Sequence, residues 1–273
     1  MKDSILLIDG LNAIWRASIS FNKSSSKDQE FVLIYNFFRN LRPIIQLFTP
    51  NKVFFVLEGY PKFRHDLYSA YKSNRIIKTA SAKPKNVFKD LNPIISLLKL
   101  LPISIVKANN YEADDVIATL CDNMKDESLI VMSNDSDYIQ LLQRDYKDIR
   151  IFNPIKKELM IAPPYPYTVW KALRGDKSDN IQGLMTDKKA ENMCMNPSLL
   201  KEFLSIEENR ALFSINKTLI DFADVPLEEL TIVDGNKDFL KLKEKFNKMR
   251  FISITNDKSW ESYIKTFDCI GYE

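Results

Sequence analysis

A chain of 273 residues, 45% hydrophobic and 27% charged, can bury a proper apolar core and has the balance of a soluble globular protein. Cys121, Cys194 and Cys269 are odd in number and lack paired-ligand spacing, which argues for a reducing compartment and against a zinc site. The opening run "MKDSILLIDG" is broken by Asp9, so it is too short for a signal peptide or a membrane span and reads as a first buried strand.

In chain order, the apolar runs predict strands at 4–8, 52–57, 103–106, 128–132 and 149–152. Helical periodicity falls between them, near 29–48, 86–100, 112–125 and 136–143. Two polar loops, "NKSSSKDQE" (22–30) and the basic "TASAKPKN" (79–86), interrupt the pattern. Strand–helix alternation predicts an α/β core with a mostly parallel sheet covered by helices on both faces. From about residue 165 the chain reads mainly helical.

Carboxylates recur just beyond the carboxyl ends of these strands. Asp9 follows the first and Glu58 the second. Glu112, Asp114 and Asp115 in "YEADDVIATL" open the helix after the third, and Asp135 and Asp137 in "SNDSD" follow the fourth. Asp176 and Asp179 in "RGDKSDN" come later and could fold back over the same edge, where open parallel sheets bind ligands. Each group alone is compatible with helix capping or a surface turn. Together, nine carboxylates at one edge repel one another and require a cation; clustered oxygens select a hard one, Mg²⁺ or Mn²⁺, and two ions are expected.

Setting those nine aside leaves 36 − 9 = 27 acids against 39 Lys and Arg, about +12 away from the site, although the whole chain is only +3. A cation-filled acidic pocket in a basic surface suits a polyanionic substrate. The single histidine, His65, excludes most His-based triads and reads as a surface residue on a helix. In "PKFRHDLYSAYKSNR" (61–75), Lys62, Arg64, Lys72 and Arg75 alternate with Tyr68 and Tyr71 on a helix-like stretch. Cations there can contact phosphates and an aromatic face can stack on a base. Lys78, Lys83 and Lys85 continue the positive potential.

The ordered motifs "LLIDGLNAIWRA", "FVLEGYPKFRHDLYSAYKSNR", "YEADDVIATL", "SNDSDYIQLL" and "LRGDKSDNIQG" resemble the 5′-nuclease superfamily. That group holds flap endonucleases, the 5′-nuclease domain of bacterial DNA polymerase I and stand-alone phage 5′-exonucleases. The stretch "NKTLIDFADVP" (216–226) looks most like phage enzymes that remove RNA primers. The resemblance implies a PIN-like core over 1–183 with a helical arch at about 61–92, and a mainly helical region over 184–273.

It also implies roles. Asp9, Glu58, Glu112 and Asp114 would hold one Mg²⁺, and Asp115, Asp135, Asp137, Asp176 and Asp179 a second, with Mn²⁺ as substitute. Lys72 and Arg75 would be catalytic cations at the base of the arch, sharing one helix face. Arg16, Arg64, Tyr71, Lys83, Lys188 and Lys189 would contact substrate. The implied activity is hydrolysis of phosphodiester bonds at 5′ ends or flaps of DNA and RNA–DNA. The implied setting is a cytoplasmic monomer (host cytoplasm if phage-encoded) working with replication proteins.

Two departures stand out. The family has Asp where this chain has Glu58, and "NIQGLMTDKKAENM" lacks the glycines of the family's duplex-gripping hairpin. The rival readings are a nucleic-acid-binding member without catalysis and a metal-dependent phosphatase of small molecules.

Overall fold

The computed structural model describes residues 4–19, 31–73, 87–268 and 270–271. Strands β1 (Ser4–Asp9), β2 (Lys52–Leu57), β3 (Ser104–Lys107), β4 (Ser128–Met132) and β5 (Asp148–Asn153) lie parallel in the order β5-β4-β1-β2-β3. Side chains alternate across this sheet. Leu6 and Ile8 of β1 join one core, Ile5 and Leu7 the other, and β2 divides Val53 and Phe55 from Phe54 and Val56 in the same way. Burial on both faces is why these strands read as unbroken apolar runs.

Helices α1 (Gly10–Ile19), α2 (Val32–Phe48) and α4 (Val87–Leu98) cover the first face. Between β2 and α4 stands the short helix α3 (Lys62–Leu67). Helix α5 (Ala113–Asn123) covers the second face, with Tyr138 and Leu141 from the turn after β4. The chain then continues through α6 (Tyr167–Arg174), α7 (Asp187–Cys194), α8 (Pro197–Phe203) and α9 (Glu207–Ile220), and closes with α10 (Phe239–Lys248), α11 (Ile252–Thr255) and α12 (Asp257–Asp268).

Several expectations change. The stretch 136–143 forms a 3₁₀ helix, not an α-helix, and α1 is a further helix. Two short antiparallel strands, β6 (Glu158–Leu159) and β7 (Thr231–Val233), finish the sheet at its two edges. The helix expected over 61–75 stops at Leu67. Residues beyond it turn, and Lys72 has a left-handed φ of 55°. Lys72 itself is therefore not helical, and Arg75, with the expectation that the two share a face, lies outside the described residues, as do Lys78, Lys83 and Lys85. Beyond residue 183, Leu242, Phe246, Trp260 and Phe267 share the core of α2, and β7 pairs with β3.

This topology creates the site. From β1 the chain builds outward to β2 and β3, then crosses to the other side of β1 for β4 and β5. The order reverses at β1 and β4, and the crevice at their carboxyl ends is where such sheets bind ligands.

Candidate metal centre

Each acidic group is placed by a local rule. Asp9 ends β1, and its Oδ1 accepts the Asn12 N–H at 3.1 Å in the first turn of α1. Its Oδ2 accepts from Ser133 Oγ at 3.0 Å and from the Tyr138 hydroxyl at 3.4 Å. Glu58 follows β2 and accepts the Ala113 N–H at 3.2 Å, which ties it to the start of α5. Glu112 precedes α5, and Asp115 Oδ2 accepts its N–H at 3.2 Å, one half of a capping box. Asp135 caps the 3₁₀ turn through the Asp137 N–H at 3.0 Å. Helix starts thus gather acids at the sheet edge, where the helix dipole favours them.

Asp176 and Asp179 arrive on a clipped loop. Asp176 and Ile181 form an isolated bridge, with N–H···O bonds of 2.9 and 2.8 Å. Gly175 has φ 76°, and a Cβ there would lie 2.4 Å from the Gly183 nitrogen, so only glycine closes this neck.

Three cations stand among the carboxylates. Arg64 is 1% exposed; it bonds Asp115 at 2.6 and 2.7 Å, Glu112 at 3.0 Å, and the carbonyls of Leu219 and Asp221 at 3.1 and 2.9 Å. Lys72 donates to Glu112 Oε1 and lies 3.8 Å from Asp179 Oδ2. Lys171, on α6 and 3% exposed, bridges Asp137 and Asp176, the latter at 2.7 Å. Burial alone would raise the Glu112 carboxyl, but Lys72 and Arg64 outweigh it and hold the group below its usual range. Burial likewise acts on Asp176, yet Lys171 brings it down to about 2. Against the same burial, Asp137 and Asp176 push the Lys171 ammonium up.

Other acids lack a cation in direct contact, although Lys72 offsets part of the charge on Glu58 and Asp114 from farther off. Among the described residues, Asp9, Glu58 and Asp114 have no Lys or Arg nitrogen within 4.0 Å. Burial, with the charge of Asp135, pushes Asp9 up to about 6 despite its hydrogen bonds. Glu58 opens to solvent at the mouth of the crevice, but the protein around it and the charge of Glu112 push it to about 7. Burial and the neighbouring Asp115 and Glu112 raise Asp114 well above its usual range. Glu112, Asp114 and Asp115 each bring an oxygen within 4.8 Å of the others. Oxygen donors with no cation in contact, beside paired ones, suit a hard divalent cation.

Two expected roles are corrected. Arg64 does not face substrate: its guanidinium is spent on Asp115, Glu112 and two carbonyls. Tyr71 is 3% exposed and donates its hydroxyl to Glu112 at 2.8 Å, so its ring cannot stack on a base. Asp115 is 0% exposed and its oxygens take two Arg64 bonds and the Glu112 and Ala223 amides. Asp115 therefore anchors Arg64 and at the same time stands in the group with Glu112 and Asp114 whose oxygens could share a cation. His65 is half-buried, stacked on Tyr60 at 4.8 Å, rather than open surface.

Arg16, on α1, has a buried Nε without a hydrogen-bond partner, and Lys188 and Lys189 are exposed in the first turn of α7. Arg75 and Lys83 lie outside the described residues.

Residues 4–166 match the family model of the 5′-3′ exonuclease N-terminal resolvase-like domain. The chain belongs to the 5′-3′ exonuclease family. A 5′-3′ exonuclease of Mycoplasmopsis pulmonis is 31% identical over 252 residues, 87% of this chain and 82% of that protein. The 5′-3′ exonuclease of Buchnera aphidicola from Schizaphis graminum is 28% identical over 67% of this chain and 66% of its own length. The thermostable DNA polymerase I of Thermus filiformis is 29% identical over 66% of this chain, a match that spans only 22% of the polymerase. The fold matches the flap endonuclease of bacteriophage T5, solved with DNA and metal ions, with a TM-score of 0.65 at 16% identity over 97% of this chain and 98% of that one. The catalytic core of Rad2 with DNA substrate matches at 0.55, with 15% identity over 97% and 93% of the two chains.

Sequence reasoning missed Lys171, Ser133 and Tyr138. For Lys171 a signal existed: on α6 it shares the buried side with Tyr167, Ala172 and Leu173, and a lysine on an apolar stripe requires an acidic partner. Ser133 and Tyr138 lie inside the "SNDSDY" motif with nothing in sequence that aims them at Asp9.

Proposed function

We propose that this protein is a divalent-cation-dependent 5′-nuclease that hydrolyses phosphodiester bonds at 5′ ends or flaps of DNA and RNA–DNA, removing primers in replication or repair. The observation that carries this reading is the trio Asp9, Glu58 and Asp114, acids with no cation in contact among the described residues, at the switch point of the sheet where Lys72 pairs with Glu112. Asp9, Glu58, Glu112 and Asp114 would hold one Mg²⁺, with Mn²⁺ as substitute. Asp115, Asp135, Asp137, Asp176 and Asp179 would serve a second, with Lys171 offsetting part of their charge. Bound ions of this kind lower the pKa of a water nucleophile and stabilise a leaving oxygen.

The chain's own residues do the rest. Lys72 meets charge that builds on the scissile phosphate, and Arg75 assists it at the base of the arch. Arg16, on α1, the helix that follows Asp9, contributes positive charge toward a substrate phosphate. Lys188 and Lys189 grip duplex by side-chain charge, and Lys83 adds affinity from the arch. Lys72, Arg64 and Tyr71 keep Glu112 ionised, and Asp115 fixes it in place by accepting its backbone N–H. Among the described residues no helix is long and apolar enough to cross a membrane. We place the enzyme in the cytoplasm (of the host, if phage-encoded), as a monomer acting beside replication proteins.

The test is cleavage of a 5′-labelled flap and of a matched 3′ flap in Mg²⁺. Short labelled products from the 5′ flap alone support the reading. Equal cutting of both flaps, or release of inorganic phosphate without chain cleavage, refutes it.

A further inference from the structure

We propose that Asn180 is a positioning residue that sets Lys72 against the acidic site; this rests on the reading of Lys72 as the cation facing the reacting phosphate. Lys72 has φ 55°, a left-handed conformation that a lysine does not choose unaided. Its side chain reaches Glu112 and Asp179 from that backbone geometry. With a right-handed φ the Cα–Cβ bond would leave the chain in another direction.

What holds Lys72 there is the loop carrying Asp176 and Asp179. The Lys72 N–H donates to the Asp179 carbonyl at 2.9 Å. The Asn180 side-chain amide brackets Lys72 on both sides, donating to the Ala70 carbonyl at 2.9 Å and to Ser73 Oγ at 3.2 Å. Asn180 is itself left-handed, φ 60°, and asparagine tolerates that region better than other side chains. The loop is a firm support: the Asp176–Ile181 bridge clips it, and the Asn216 amide ties it to Gln182 O at 2.7 Å and Ala172 O at 2.9 Å. Asn180 thus links the segment leading into residues 74–86 with the last pair of acids. Asn180 lies inside the resembling motif "LRGDKSDNIQG", but the resemblance assigns it no role. The coupling between Asn180 and Lys72 comes from these bonds.

The experiment is a double-mutant cycle on single-turnover cleavage of a 5′ flap in Mg²⁺, with affinity measured separately in Ca²⁺. Asn180→Gly keeps the left-handed backbone and removes the amide. We expect it to lower the saturated rate about tenfold while affinity changes by less than about twofold, the pattern of an interaction used in the transition state. In the Lys72→Ala background the same change should cost nothing further, because Asn180 acts through Lys72. An unchanged rate in Asn180→Gly, or a loss that multiplies with that of Lys72→Ala, overturns the proposal. Should Asn180→Gly not fold, Ser73→Ala in the same cycle decides, with a smaller loss that again vanishes beside Lys72→Ala. An inactive wild type overturns the nuclease reading and this inference together. A wild type that cuts, with an Asn180→Gly variant that cuts equally well, overturns this inference alone.

Discussion

The guanidinium of Arg64 grips the Asp115 carboxylate with two parallel bonds, Nη1 to Oδ2 at 2.6 Å and Nη2 to Oδ1 at 2.7 Å, where Arg64 is 1% and Asp115 0% exposed. A fork of this kind is geometrically specific, and here it also carries Glu112 and the carbonyls of Leu219 and Asp221. One side chain therefore fastens α3, the start of α5 and the end of α9 together.

Arg64→Met should destabilise the fold by roughly 3 to 5 kcal/mol, because it leaves Asp115 buried without its charge partner. Urea unfolding of the purified protein measures this. Arg64→Met with wild-type stability would mean that Arg64 is a substrate contact after all.

Asp137 faces Lys171, which also holds Asp176. Asp137→Asn removes one anionic oxygen donor yet leaves Lys171 its second partner, so the fold should stand. Cleavage of a 5′ flap should fall by roughly 10²-fold or more, on the scale of losing one preorganised electrostatic group. Affinity for the flap in Ca²⁺ should stay level or rise, since a negative charge has left a site that receives a polyanion. Normal turnover would remove Asp137 from the centre.

Stability without divalent cation should depend on pH in a definite direction. Burial, with the charge of Asp135, lifts Asp9 from 3.8 to about 6, and the protein around the more open Glu58, with the charge of Glu112, lifts it from 4.5 to about 7. Between those values the folded state holds more protons than the unfolded one, so stability falls as pH rises. Asp176, brought down to about 2 by Lys171 against the effect of burial, acts oppositely: its contribution is lost as pH drops from its ordinary value toward 2. In EDTA the melting temperature should therefore be higher at about pH 5 than at about pH 8, and Mg²⁺ should narrow the gap by binding the ionised carboxylates. Calorimetry that finds the protein in EDTA more stable at the higher pH would contradict the crowding of Asp9, Glu58 and Asp114.

Lys188 and Lys189 stand exposed at the first turn of α7, after a loop that has no glycine between Gly183 and Cys194. Duplex affinity should depend on these charges with a steep salt slope, and Lys188→Ala with Lys189→Ala should flatten that slope by about two phosphate contacts. Potassium should give no gain over sodium at matched ionic strength. A potassium-specific rise in affinity would show that a backbone grip survives.

The parallel strands are legible in sequence because two-sided burial leaves apolar runs, and the acids stand out because they recur just beyond them. β6 and β7 are not legible, being two and three residues long and paired at the sheet edges. Arg64 was misread because sequence does not distinguish a cation facing solvent from one turned inward. Lys62 and Arg64 look alike in "PKFRHD", yet Lys62 pairs with Asp66 at the surface and Arg64 is buried. Lys72 was placed on a helix because nothing in "SAYKSNR" signals a left-handed residue; the restraint comes from Asp179 and Asn180, more than a hundred positions away.

The most direct measurement is single-turnover cleavage of a 5′-labelled flap across a Mg²⁺ titration, for the wild type and for Asp9→Asn combined with Asp114→Asn. The wild type should be silent in EDTA and reach a saturating rate as Mg²⁺ rises. The double variant, which lacks two of the acids with no cation in contact, should bind the flap but cut it at least about 10²-fold more slowly at every concentration. Cutting by the wild type in EDTA, or equal rates for the two proteins, would contradict a cation-loaded carboxylate centre as the source of the chemistry.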